Sequence, residues 1–472
     1  MKSNIIKQTG IYAIGEIAPK ILMFFLLPIY THFLSPEDYG IVSYTNSVVI
    51  FLFALSALSL NSYVLRNYFE KKNESERQNL IGNIYLFIGI FNMALVVVSF
   101  IITPSILLKY NIQVAWSPYF KLALISNFLE AFSIIPLVLY RVKQNAKFYV
   151  ILSVSKTFLQ FGITFFFIVI LKMGILGHFY GKLLSLIPFF FIYWYIIIKH
   201  ARININLNQI KDGLKFSLPL LPGMLAYLVL GVSDRIILER HINLSEIGIY
   251  NIAYIMAFSL GMVIQSVYKA IEPEIFKRYG FPNFNEFIKK TQSLFLFLVY
   301  SVAMCLSLFS QEVFKIMASP QYYKGYLLVP ILVLGAIMTG QNVIYGGILQ
   351  AEKNTKAIGL SAILGAIVSI TFNLIFIPKW GIYAAAISSA ISFFIMNIYL
   401  FIRMDFTKKT MIPELLVLGL FMWFNFTIFY LYKIEFSYFS IVIKIVVLTI
   451  YIFSISKIFK LNILNLKKYA IH

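Results

Sequence analysis

Five ionisable side chains lie deep inside long apolar segments, where a charge is costly. They are Glu16, Lys20, Glu130, Lys156 and Lys182. A charge near the middle of a membrane helix costs about 2.5–3.5 kcal/mol on insertion scales, so such residues are usually paired or functional. Together they supply cations for an anionic ligand and acids that can titrate. The segments that position them are therefore expected to be membrane helices with a polar interior.

Each of these side chains also has a structural interpretation. Glu16 and Lys20 are one helical turn apart, so they either neutralise each other or serve in coupling or binding. Glu130 and Lys156 lie at similar depth on consecutive segments, which favours an ion pair between two helices. Lys182 has no obvious partner at its depth, which favours a functional role. Lysine suits a phosphate ligand because its ammonium group is a point charge.

Several other charges are expected to be ordinary. Asp234, Arg235 and Glu312 are near the ends of apolar segments, where a long side chain can extend to the membrane surface. Lys444 is deeper, and we expect it to line an outer groove or to extend to the surface in the same way. None of these charges is predicted to form a site.

The composition excludes a soluble protein of this length. Of the 472 residues, 60% are hydrophobic and only 12% are charged, which is typical of a polytopic membrane protein. The net charge of +21 is explained by basic cytoplasmic loops, so nucleic acid is not an expected partner. The single cysteine, Cys305, excludes an internal disulfide and a cysteine-based metal site. No metal or cofactor is predicted.

About fourteen apolar segments are long enough to cross a bilayer as helices, since about 20 residues span the hydrocarbon core. Their approximate ranges are 9–31, 41–64, 80–103, 119–140, 148–171, 174–198, 214–233, 247–270, 291–314, 326–349, 356–377, 381–402, 412–431 and 436–456. Counting from a cytoplasmic N-terminus places about 27 of the 40 lysines and arginines in cytoplasmic loops. Both termini are therefore predicted to be cytoplasmic.

The loops are too short for a soluble catalytic domain, so an enzyme is not expected. Residues 177–182 (GHFYGK) resemble a phosphate-binding loop only faintly, because the glycines are too close together and no strand precedes them. Gly177 and Gly181 instead have the four-residue spacing at which membrane helices pack closely. A membrane polysaccharide polymerase, the alternative from another functional class, would need a large outer loop with catalytic residues.

Three short motifs recur at an offset of roughly 207–209 residues. They are LSPEDYG at 34–40 with LSEIG at 244–248, NAK at 145–147 with NTK at 354–356, and KMGI at 172–175 with KWGI at 379–382. Repeats at one offset predict a duplicated bundle. We expect six-helix lobes at 1–205 and 206–405, parallel across the membrane, followed by two additional helices and a cytoplasmic tail at 406–472.

The first segment of each predicted lobe contains prolines, which interrupt a helix by removing a backbone hydrogen bond. Pro19 and Pro28 lie in the first segment, and Pro219 and Pro222 lie in the seventh. Matching broken helices in two halves of a membrane protein indicate a transport pathway. These prolines are therefore candidate gating positions.

Several motifs resemble those of one transporter family. LSPEDYG at 34–40, SDRIIL at 233–238, LQAEKN at 349–354 and WGIYAAA at 380–386 are similar to motifs of Wzx-type O-antigen and polysaccharide flippases. These flippases belong to the multidrug/oligosaccharidyl-lipid/polysaccharide (MOP) exporter superfamily. The resemblance extends over essentially the whole chain, including the number of predicted helices.

The resemblance implies two lobes around a central cavity and alternating access in a bacterial inner membrane. The implied substrate is an undecaprenyl-pyrophosphate-linked oligosaccharide, and the implied drive is a gradient of H⁺ or Na⁺. In that mechanism Lys20, Lys156 and Lys182 would bind the pyrophosphate, and Glu16 or Glu130 would couple the ion. A polysaccharide polymerase and a chain-length regulator are implied partners, besides membrane lipid. A lipid II flippase and a multidrug or cation antiporter of the same superfamily are the alternatives.

Overall fold

The computed structural model describes residues 15, 18–19, 21–22, 24–404, 412–431 and 438–459. Within these residues the chain is helical and contains no strand. Fourteen helices correspond one to one with the predicted segments: α1 (Phe24–Phe33), α2 (Pro36–Asn67), α3 (Glu74–Lys109), α4 (Trp116–Val142), α5 (Ala146–Ile170), α6 (Ile175–His200), α7 (Leu207–Leu238), α8 (Leu244–Arg278), α9 (Phe284–Leu308), α10 (Pro320–Ala351), α11 (Thr355–Trp380), α12 (Ile382–Arg403), α13 (Ile412–Leu431) and α14 (Tyr438–Ile458). In the described part of the chain, 12 of them are long and apolar enough to cross a membrane. The predicted all-α polytopic class is confirmed.

Helix α2 begins where its sequence provides a cap. The Ser35 hydroxyl accepts a hydrogen bond from the Asp38 N–H, and the Asp38 carboxylate accepts one from the Ser35 N–H. Pro36 occupies the first turn, where no N–H is needed. This capping box starts the helix five residues before the predicted apolar segment.

Residues Met1–Gly248 form one compact unit. In this unit α5 packs along α6, α4 packs on α6, and α2 packs on α7. Its core is a cluster of fully buried side chains that includes Leu60, Val64, Leu80, Ile84 and Ile197. The helices that carry Glu130, Lys156 and Lys182 are therefore neighbours within one unit.

Residues Ile249–His472 form a second compact unit. Helix α12 packs extensively on both α10 and α11. Close approach at this contact depends on Gly335, because a Cβ there would lie 2.6 Å from the Ser389 hydroxyl. Polar side chains also join these helices: the Asn397 amide donates to the Met338 carbonyl at 2.9 Å, and the Asn342 amide donates to the Asn397 side-chain oxygen. Amides at these positions serve as contacts between helices.

Two pairs of repeated motifs have matching local structure. Asn145 and Asn354 each cap a helix, and each side-chain oxygen accepts a hydrogen bond from the N–H three residues later. Gly174 and Gly381 each precede a helix with a positive φ, +57° and +52°, which favours glycine. Equivalent positions therefore turn in the same way. The duplication and its boundaries at 205 and 405 stay a prediction that these matches support.

Candidate functional site

Glu130 contacts two lysines from two other helices. The Lys156 ammonium on α5 lies 3.1 Å from Glu130 Oε1, and the Lys182 ammonium on α6 lies 3.4 Å from Glu130 Oε2. We call these three residues the Glu130 cluster. Their side chains are 18–26% exposed, so the charges are partly shielded from solvent. One carboxylate between two ammonium groups leaves the cluster with a net positive charge.

The predicted ion pair between Glu130 and Lys156 is confirmed. The expectation that Lys182 has no partner is wrong, because it shares the same carboxylate. A lysine places its ammonium group at the end of a flexible four-carbon stem, so the depth of its Cα does not fix the depth of its charge.

Close packing of α5 and α6 positions Lys182 beside α5. A Cβ at Gly181 would meet Thr164, and a Cβ at Gly177 would lie 3.1 Å from the Ile168 backbone nitrogen. The predicted small-residue packing at these two glycines is confirmed. Larger residues would push α6 away from α5 and move Lys182 from the Glu130 cluster.

His178 lies one helical turn before Lys182 and was not singled out from the sequence. It is 6% exposed, and its Nδ1 is 2.9 Å from the Tyr30 hydroxyl on α1. Among the described residues, its Nε2 has no hydrogen-bond partner. The spacing of His178 and Lys182 was the available signal, since residues four apart share one face of a helix.

The remaining predicted site residues differ in what the structure says of them. Glu16 and Lys20 lie outside the described residues.

Pro219 and Pro222 coincide with an interruption of α7. This helix is regular to Ser217, forms a tight 3₁₀ turn, and resumes at Leu221. In the first segment, Pro19 lies in a short helical stretch before α1. Pro28 lies within α1, where its carbonyl accepts a hydrogen bond from the Thr31 hydroxyl at 3.1 Å. A gating role for all four prolines stays a prediction.

Four charges expected to be ordinary near the membrane surface are buried instead: Asp234, Arg235, Glu312 and Lys444. Arg235 is 3% exposed, and its guanidinium donates to Asp234 at 2.9 Å and to the Gly231 carbonyl at 2.6 Å. Lys444 is 1% exposed and lies 2.5 Å from the Glu312 carboxylate. The surface prediction was wrong because a charge with a partner nearby can be buried at a lower cost than a lone one.

The turn after α7 is fixed by a third buried acid, Glu239, which is 2% exposed. Its carboxylate accepts a hydrogen bond from the Gln113 N–H at 2.6 Å, and the Gln113 amide donates to the Glu239 carbonyl at 2.7 Å. Burial raises the pKa of Glu239 above the ordinary value of a glutamate, although the Gln113 N–H opposes this shift. This contact joins the loop after α3 to the turn after α7.

A family profile described as "Polysaccharide biosynthesis protein" matches residues 5–277, more than half of the 472 residues. An uncharacterized membrane protein of Methanocaldococcus jannaschii is 25% identical over 235 residues, 46% of this chain and 45% of that protein. The capsular polysaccharide biosynthesis protein CapF of Staphylococcus aureus is 25% identical over 412 residues, 83% of this chain and 96% of CapF. The alignment thus spans less than half of the archaeal relative and nearly all of CapF.

Solved structures share the fold. The lipid II flippase MurJ in an inward closed conformation has a TM-score of 0.75 at 20% identity, covering 95% of this chain and 98% of that chain. An inward-facing multidrug resistance MATE family transporter of the MOP superfamily has a TM-score of 0.66 at 14% identity, covering 83% and 98%. These similarities confirm the expected MOP-type fold.

Proposed function

Because the chain belongs to the polysaccharide biosynthesis protein family, we propose that this multi-pass membrane protein is a lipid-linked oligosaccharide flippase. It moves undecaprenyl-pyrophosphate-linked repeat units from the cytoplasmic to the outer leaflet for surface polysaccharide assembly, such as O-antigen or capsule. The similarity to CapF, a capsular polysaccharide biosynthesis protein, supports this substrate class. The proposed activity is transport without a chemical reaction, so the chain is not an enzyme.

The observation that carries the proposal is the Glu130 cluster. Lys156 and Lys182 approach one carboxylate from two helices, at 3.1 and 3.4 Å. A pyrophosphate has several negative oxygens, so it can take the place of that carboxylate beside one or both ammonium groups. The partial exposure of the three side chains, 18–26%, leaves room for such an approach. Lys20 is proposed as a further cation at the pyrophosphate.

In the proposed cycle, the protein alternates between inward-open and outward-open states, with Pro19, Pro28, Pro219 and Pro222 at the bending positions. Proline interruptions suit this role because they leave a helix free to bend. A gradient of H⁺ or Na⁺ drives the cycle, with Glu16 or Glu130 as the coupling acid. The location is the bacterial inner membrane with both termini cytoplasmic, and a polymerase and a chain-length regulator receive the product.

Lipid II is the second candidate substrate, because MurJ matches nearly the whole chain in fold. It is also an undecaprenyl-pyrophosphate-linked saccharide, so the Glu130 cluster suits both. A complementation assay distinguishes them: rescue of a strain depleted of its lipid II flippase would favour lipid II. Rescue of surface polysaccharide alone would favour the oligosaccharide.

The direct test removes Lys182. Lys182→Ala is expected to reduce surface polysaccharide roughly tenfold or more, since a hydrogen bond to a charged group contributes about 1.5–3 kcal/mol. The measurement is surface polysaccharide in a strain whose own copy of the gene is replaced by the variant. The amount of variant protein in the membrane is measured in parallel, because a loss of protein would mimic a loss of transport.

The matched control is Lys199→Ala, which removes an exposed lysine from the same helix. It should leave surface polysaccharide at the wild-type level. Normal surface polysaccharide with Lys182→Ala would refute the proposed role of the Glu130 cluster.

A further inference from the structure

An apolar groove lies in the first unit between α2, α3 and the end of α7. Its volume is about 500 Å³, and its walls include Val48, Phe51, Val98, Ile102 and Ile236. The wall from α3 opens outward, because Val98, Ile102 and Ile106 are each 45–49% exposed. The floor is closed by buried side chains, among them Tyr44 and Phe120. The groove therefore faces the hydrocarbon region along one side.

Basic side chains stand at one end of this groove. Arg240 lines it, and its guanidinium carbon lies 4.8 Å from the centre of the Tyr110 ring. The Lys109 ammonium lies 5.6 Å from the same ring. Both cations are exposed, and neither forms an ion pair with any acid in the described part of the chain.

The neighbouring acid, Glu239, interacts electrostatically with Arg240, but it offsets only one of the two positive charges at this end of the groove. Glu239 is the residue before Arg240, but its carboxylate accepts the Gln113 N–H at 2.6 Å. That hydrogen bond directs the Glu239 carboxylate towards the protein interior, whereas the Arg240 side chain lies over the Tyr110 ring. The end of the groove thus has positive charge available to a ligand, next to an apolar channel.

We propose that this groove binds one acyl chain of an anionic phospholipid, with the lipid phosphate against Arg240 and Lys109. A cation stacked on an aromatic ring near the end of a membrane helix is held in place for a headgroup. The lateral opening along α3 gives the chain a path from the bilayer. A long polyprenyl chain would exceed a cavity of about 500 Å³, so a phospholipid is the better fit. This site is separate from the Glu130 cluster and does not depend on the proposed flippase activity.

Native mass spectrometry of the full-length purified protein tests this site. The protein is released from micelles that contain equal amounts of dioleoyl phosphatidylglycerol and dioleoyl phosphatidylcholine. Arg240→Gln should reduce bound phosphatidylglycerol about fivefold, which corresponds to about 1 kcal/mol for the loss of one exposed charge contact. Bound phosphatidylcholine should change little. Ile102→Trp, which fills the groove, should reduce both lipids.

Arg403→Gln is the matched control, because Arg403 also lies over a tyrosine, 5.2 Å from the centre of the Tyr399 ring, but outside the groove. Equal phosphatidylglycerol binding by Arg240→Gln and Arg403→Gln would overturn the proposal. So would an equal loss of both lipids with Arg240→Gln, or unchanged binding with Ile102→Trp. Displacement of phosphatidylglycerol by an equimolar amount of undecaprenyl phosphate would assign the groove to the polyprenyl lipid and overturn the phospholipid assignment.

Discussion

Glu130 contacts one ammonium group with each of its carboxylate oxygens, and this arrangement bears on how an ion could be coupled. A pyrophosphate beside Lys156 and Lys182 would repel the carboxylate and favour a proton on it. Because such coupling is reciprocal, the proton and the pyrophosphate would bind together. An antiporter needs the opposite, competition between ion and substrate. The geometry therefore suits Glu130 as the counter-ion of two lysines, and for an antiport cycle Glu16 is the alternative proposed for the coupling acid.

The counter-ion role predicts how Glu130 variants behave. Glu130→Gln leaves two partly buried ammonium groups without their acid, so the amount of folded protein in the membrane should fall. Removing one partner of a fully buried pair costs about 3–5 kcal/mol, and the cost here is smaller because the side chains are 18–26% exposed. Adding Lys156→Gln should restore part of the loss, because only one cation then lacks a partner. Size-exclusion chromatography of a fluorescent fusion measures the folded protein.

The surface pair of Arg66 and Glu70 provides the comparison. These side chains are 65% and 59% exposed at 3.6 Å, so Glu70→Gln should leave the amount of folded protein unchanged. If the double variant of Glu130 and Lys156 accumulates no better than Glu130→Gln, the counter-ion role is wrong.

Among the helices, the beginnings of α2 and α8 make a reciprocal backbone contact. A Cβ on Gly40 would collide with the Leu244 carbonyl, and a Cβ on Gly248 would collide with the Pro36 carbonyl. Gly40 and Gly248 are equivalent positions in the predicted repeat. Only glycine allows the two backbones to come this close.

Gly40→Val should force the beginning of α2 away from Leu244 inside the first unit. Cys305 is the only cysteine, so Cys305→Ser gives a background in which Ser43→Cys is the sole thiol. Ser43 lies one turn after Gly40 and is 5% exposed. Labelling of this thiol by a membrane-impermeant maleimide should increase severalfold when Gly40→Val is added.

Gly359→Val is the matched control, since a Cβ at Gly359 would meet nothing within 4 Å. It should leave labelling of the Ser43→Cys thiol unchanged. Equal labelling with and without Gly40→Val would show that close packing at Gly40 does not control access to Ser43.

The helices were predictable from the sequence because the membrane fixes their length and apolar composition. The ends of the helices were harder to predict. Helix α3 continues through Pro104 to Lys109, whereas the apolar segment was predicted to end at 103. The additional residues 104–109 (PSILLK) begin with a proline and end with a lysine, so hydropathy alone does not place the end of this helix. Local signals such as the Ser35 cap would have corrected the start of α2.

For the whole molecule, the charges that neutralise each other were predictable only when their helices are consecutive. Glu130 and Lys156 lie on consecutive helices, α4 and α5, and their similar depth in the membrane was enough to predict the pair. Lys444 and Glu312 are 132 residues apart, and no pattern in the sequence says that α14 passes the short helix Ser310–Met317. Which helices meet is decided by packing of the whole unit. That information is absent from the periodicity of any single segment.

The buried pair of Lys444 and Glu312 predicts how α14 is attached to the second unit. Lys444→Met removes a cation that is 1% exposed and leaves the acid at 2.5 Å without it, so the variant should lose about 3–5 kcal/mol of stability. Adding Glu312→Gln should recover most of this loss, because no charge is then buried alone. The thermal midpoint of the purified protein in detergent measures both.

The matched control is Lys457→Met, which removes an exposed lysine from the same helix and should leave the midpoint unchanged. A midpoint for Lys444→Met equal to that of Lys457→Met would mean that the ion pair does not hold α14 in place and that apolar packing of α14 on α9 is sufficient.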